Sequence, residues 1–177
     1  MARKDRTSVI CRILYYLCAL SLWLLPAFLL WVWFCADRIA AQNGMIPVKA
    51  IPLPLPVSTK VGMVLVSVLL LAPTYWGLFA LHRFLKACCA EDYLGTQNSR
   101  LLKRFALGLM GTAFLSPVCG AALSVLLTMH NPPGQRMLAI NLSSNQIVLA
   151  AVGALIFLLA NLLKRASLIA EEHAQIV

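Results

Sequence analysis

His82, His130 and His173, six cysteines and six carboxylates are the side chains able to carry proton transfer, metal binding or nucleophilic attack. Their spacing supports none of these. Cys11, Cys18, Cys35, Cys88, Cys89 and Cys119 include no C-x-x-C pair, and no histidine stands at zinc-ligand spacing from them. The chain has no H-E-x-x-H, no G-x-S-x-G and no phosphate-binding glycine loop. The reading is therefore no catalytic residue, no metal site and no cofactor, and a protein that is not an enzyme.

Composition explains why polar chemistry is scarce. Of 177 residues, 61% are hydrophobic and 12% charged; soluble domains run at about 45–50% apolar and about 25% charged. So much apolar surface does not fit inside one small core, which excludes a soluble globular enzyme and a disordered chain alike. Four apolar stretches, near 13–35, 61–81, 105–129 and 146–163, are long enough to cross a bilayer. The expected fold is all-α, one integral membrane bundle of four transmembrane helices spanning residues 1–177. Arg3, Lys4, Arg6 and Arg12 precede the first stretch, which is too long for a signal sequence and reads as an uncleaved anchor.

Four crossings put both termini on one face. That face carries eleven of the fifteen Lys and Arg, including Arg83, Lys86, Arg100, Lys103 and Arg104 of the middle loop; the other carries Arg38, Lys49, Lys60 and Arg136. The bias predicts that both termini are cytoplasmic. It also accounts for the net charge of +9 without direct binding of nucleic acid. On the outer face, IPLPLP at 51–56 reads as extended and Asn131-Pro132-Pro133-Gly134 as a turn.

Inside the spans, Gly108, Thr112, Ser116, Gly120, Ser124 and Thr128 recur at four-residue spacing. Small residues let membrane helices approach closely, so this row predicts a packing seam. It drifts by about 40° per step and so winds around its helix. The competing reading is a hydroxyl-lined solute path, with Pro26, Pro73 and Pro117 as the helix breaks that transporters use. No ionisable residue lies deep within a span, and such residues are the usual mark of coupled transport. Asn161 reads as an interhelical hydrogen-bonding group, and Cys88–Cys89 as a possible acylation site.

Two cytoplasmic segments remain, 82–104 and 164–177. In the first, Leu94 through Asn98 precede Leu102, Lys103 and Arg104; in the second, Lys164 and Arg165 precede Ile169, Glu171, Glu172 and a terminal Val177. The second helix is expected to continue into the first segment as far as Gly95, with Thr96, Asn98 or Ser99 capping the next. In this order of residues the chain resembles a family of bacterial four-helix membrane proteins classed as domain of unknown function 2975. Leu94 stands where the family has an aromatic residue, and His173-Ala174 where it has Asn-Asp. The resemblance implies the bacterial inner membrane and a possible partnership with a small helix-turn-helix regulator. It implies no activity.

Together these point to a non-enzymatic membrane protein. It would dock a protein partner, a helix-turn-helix regulator or a larger membrane complex to which it is an accessory subunit, through Asn98, Leu102, Lys103, Arg104, Lys164, Arg165, Glu171 and Glu172. A small-solute transporter or channel is the alternative. Reporter tags fused before Met1 and after Val177 should both report the cytoplasm, and a tag inserted after Pro133 the opposite face; termini on different faces would refute the four-crossing reading.

Overall fold

The computed structural model describes residues 2–35, 38, 56–89, 96–131, 136 and 138–175. They form four long helices: α1 Ala2–Phe34, α2 Val57–Cys89, α3 Thr96–Thr128 and α4 Ser144–Gln175. Among the described residues there is no strand. Each helix is long and apolar enough to cross a membrane, and the protein is a multi-pass, all-α membrane protein.

The helices are longer than the apolar stretches. A 33-residue helix such as α2 is about 50 Å long, against a hydrocarbon core of about 30 Å. Once the backbone ladder is satisfied within the apolar stretch, nothing in His82 through Cys89 or Thr96 through Arg104 breaks it, so the helices run on past the charges. Pro26, Pro73 and Pro117 lie inside α1, α2 and α3, which continue through them. The expected continuation of α2 and the start of α3 near Thr96 are both present, and α4 runs on past Lys164 and Arg165 to Gln175. Gly95, the IPLPLP segment up to Leu55, Pro132 to Gly134 and the terminal Ile176-Val177 lie outside the described residues.

Neighbouring helices are antiparallel. Cys18 Sγ donates to the Leu78 carbonyl at 3.5 Å, and Tyr15 stacks on His82 with ring centroids 4.5 Å apart, which pairs the start of α1 with the end of α2. Thr74 pairs with Thr112, and Thr59 with His130, along α2 and α3. Gln146 meets Ser116, and Phe157 meets Lys103, along α3 and α4. Packing follows chain order, α1 on α2, α2 on α3 and α3 on α4, so α3 is enclosed on two sides. Its buried Leu101, Ala106, Ala113, Cys119 and Leu127 contrast with α1, whose buried residue among those described is Cys18. Trp23 of α1 is 80% exposed and faces the surroundings.

Helices α2 and α3 cross with their backbones in close approach. A methyl group added at Gly108 would lie 2.7 Å from both the Gly77 Cα and the Pro73 carbonyl oxygen, and one at Gly77 would lie 3.2 Å from the Gly108 Cα. Both neighbours are backbone, so neither can turn aside. Four residues from Gly108, the Thr112 hydroxyl meets that of Thr74 at 2.8 Å and also donates to the Gly108 carbonyl at 2.9 Å. On the other side of α3, a methyl group at Gly153 of α4 would meet the Met110 side chain at 2.7 Å and the Ala106 carbonyl at 3.2 Å.

Gly120 departs from the expected seam. A methyl group there would meet nothing within 4 Å. The winding of the row is the reason: three steps beyond Gly108 it has turned by about 120°, away from the face that meets α2. Gly108→Ala should therefore destabilise the bundle by about 1–3 kcal/mol, as overpacking does, while Gly120→Ala should leave it unchanged or slightly firmer. Thermal unfolding of both variants in mild detergent measures the difference, and equal effects would contradict the close crossing.

Candidate functional site

Two regions of the molecule collect polar side chains. The first is the hydroxyl row of α3. Its members are engaged one by one with different partners as the row turns. Gly108 and Thr112 face α2. Ser116 accepts a hydrogen bond from Gln146 Nε2 of α4 at 3.0 Å. Ser124 accepts one from the Ala139 backbone N–H at 2.9 Å and donates to the Ala121 carbonyl at 2.7 Å, and Thr128 donates to the Ser124 carbonyl at 2.8 Å. The bonds from Gln146 and Ala139 tie α3 to α4 and to the segment between them, which is the work of a seam, while the Ser124–Ala121 and Thr128–Ser124 bonds stay within α3.

Gln146 does two tasks. Its Oε1 accepts from the Ser143 backbone N–H at 3.1 Å while its Nε2 reaches Ser116. Ser143 followed three residues later by Gln146 is the spacing of a capping box, in which the third residue of the helix reaches back to the residue before it. Read from the sequence as the edge of the fourth span, Gln146 instead caps α4 and ties it to α3.

The second region lies at the end of the bundle where α1 starts, α2 ends, α3 starts and α4 ends. Phe79 carries the Arg83 guanidinium 4.7 Å above its ring, and Phe157 carries Lys103 Nζ at the same distance. Each cation extends along an aromatic ring while its head stays exposed, a contact worth about 0.5–1 kcal/mol at such a site. Between α3 and α4 a polar pocket of 240 Å³ is lined by Ser99, Arg100, Lys103, Ala160, Asn161 and Lys164. Asn161, expected to bridge two helices, lines this pocket and makes no hydrogen bond among the described residues.

Of the eight docking candidates, Lys103, Arg104, Lys164 and Arg165 are exposed, and Leu102 is half-buried. Asn98 is 1% exposed and already engaged, because the first turn of α3 packs into the end of the bundle. The backbone of Glu171 and Glu172 is helical within α4; their side chains lie outside the description. Cys88 is buried and Cys89 exposed at the end of α2.

A 560 Å³ apolar groove between α1 and α2, reaching from Leu29 and Val68 to Trp76 and Phe79, escaped the sequence reading. It adjoins a smaller hollow lined by Trp23, Tyr75 and His82, and the Nδ1 of His82 is buried without a hydrogen-bond partner. Pro26 lines both hollows.

A family model described as Protein of unknown function (DUF2975) matches residues 47–177, well over half of the chain. The chain belongs to this family. The match takes in α2, α3 and α4 and leaves out α1, the helix that packs least. No curated protein and no solved structure matches the chain.

If the row is a seam, its hydroxyls are coupled to their partners energetically. A double-mutant cycle of Ser116→Ala and Gln146→Leu should give an interaction energy of about 0.6–1.7 kcal/mol, the range for hydrogen bonds between membrane helices. Additive effects in detergent unfolding would show that the bond contributes nothing.

Proposed function

We propose that this DUF2975 protein is a non-enzymatic protein of the bacterial inner membrane that docks a protein partner at its cytoplasmic end. The observation that carries the reading is the meeting of two distant segments. Lys103 of α3 and Lys164 of α4 share one pocket and are exposed, and Arg104 and Arg165, next to them in the chain, are exposed as well. Cations from two helices at one end of the bundle fit an acidic partner surface, and such complementarity sets specificity and encounter rate.

Further support comes from what the spans do with their polar groups. The hydroxyls that a solute path would need are committed to helix contacts, so recognition is left to the ends. Eleven of the fifteen basic residues belong to this end, which on the positive-inside rule is the cytoplasmic one. A helix-turn-helix regulator and a larger membrane complex both fit the surface.

Purification from native membranes in mild detergent tests the proposal. The intact chain should co-elute with a stoichiometric companion, whereas a chain lacking residues 166–177, and the double variant Arg104→Glu/Arg165→Glu, should insert normally and lose it. Retention of the companion by both, or no companion at all, would overturn the reading.

A further inference from the structure

We infer that the pocket between the start of α3 and the end of α4 binds a phosphate-bearing anion at the membrane interface. This goes beyond the docking of a protein partner and does not depend on it.

The pocket brings Arg100, Lys103 and Lys164 to one 240 Å³ space, with the Asn161 amide and the Ser99 hydroxyl in the same wall. Its three charged residues are all basic. Like charges held around one small volume repel each other unless an anion sits between them. The backbone adds to the field: α3 begins at Thr96, so Arg100 lies near the start of the helix, where the helix dipole favours negative charge. Arg100 offers a planar fork that matches two phosphate oxygens, Lys103 and Lys164 offer point charges, and Asn161 supplies a neutral donor.

Lys103 is also pre-positioned. With its Nζ 4.7 Å over the Phe157 ring, its stem lies along α4 and its head stays at the rim, so less freedom is lost when an anion arrives. The depth of the pocket fits a lipid headgroup. It opens where two membrane-spanning helices leave their apolar stretches, with Ala160 buried at its base and Leu159 and Leu162 exposed on α4 beside it. Basic pockets between transmembrane helices on the cytoplasmic side are where anionic headgroups bind. Free phosphate shares that chemistry and approaches from the water side.

Native mass spectrometry of the full chain in mild detergent, with no other protein present, tests the inference. The probes are phosphatidylglycerol, phosphatidylcholine and inorganic phosphate. A basic residue near an anionic surface is worth about fivefold in affinity, so Arg100→Gln/Lys164→Gln should bind phosphatidylglycerol about 25-fold more weakly. Arg83→Gln, at the same end but outside the pocket, should bind it normally, and Lys164→Arg should keep most of the affinity and so separate lost charge from lost fold. Competition by millimolar phosphate would assign the site to a free anion; resistance to it would assign the site to the lipid. Equal retention of phosphatidylglycerol and phosphatidylcholine, or equal loss in the Arg83→Gln and Arg100→Gln/Lys164→Gln variants, would overturn the inference, as would no binding of any probe. Because no protein partner enters the assay, its failure leaves the docking reading standing, and failure of docking leaves this one standing.

Discussion

The crossing of α2 and α3 at Gly77 and Gly108 is the contact on which the arrangement of the other helices rests. Lipid tails are as apolar as leucine, so burying leucine between helices gains little; close backbone approach and interhelical hydrogen bonds must supply the association. Gly108 has room for no methyl group against the Gly77 Cα and the Pro73 carbonyl, and the Thr74–Thr112 bond locks the next turn. With α2 fixed on one side of α3, Gly153 and Gln146 bring α4 to the other. The first helix then attaches through Cys18, Tyr15 and few other residues, consistent with its place outside the family match.

That arrangement has a chemical consequence at the end of the bundle where α3 starts. Helices of 32 or 33 residues overrun the hydrocarbon core, so Arg100, Lys103 and Lys164 are carried on helices rather than on loops. Arg100 and Lys103 therefore face Lys164 at a distance fixed by the α3–α4 seam below them. By that rigidity the basic residues of α3 and α4 line one pocket. The apolar spans thus hold the packing contacts, and the polar end gathers the charges.

Most of the fold was legible in the sequence because its cause is local. Four apolar stretches, the charge bias and the four-residue row of α3 are read directly along the chain, and the predicted winding of that row explains why Gly108, Ser116 and Ser124 meet three different neighbours. The partners of that row were harder to see. Gly77 and Gly153 are isolated glycines with no periodic signal, and their importance comes from what lies opposite. Gly120 obeys the spacing yet faces open space, since a stripe that winds cannot stay on one seam. The Ser143–Gln146 capping spacing is a local signal, but the bond from Gln146 to Ser116 depends on which helix lies alongside. Arg100, Lys103, Asn161 and Lys164 were visible as separate residues; that they share one pocket depends on the register between two helices, which no sequence spacing encodes.

The most direct test of this arrangement is cross-linking in native membranes, in a chain whose six cysteines are replaced and which carries Thr74→Cys with Thr112→Cys. Mild oxidation should link the pair rapidly and nearly completely, while cysteines placed at matching depth on α1 and α4 should stay unlinked. No link between positions 74 and 112, together with an efficient α1–α4 link, would contradict the central place given to the α2–α3 crossing.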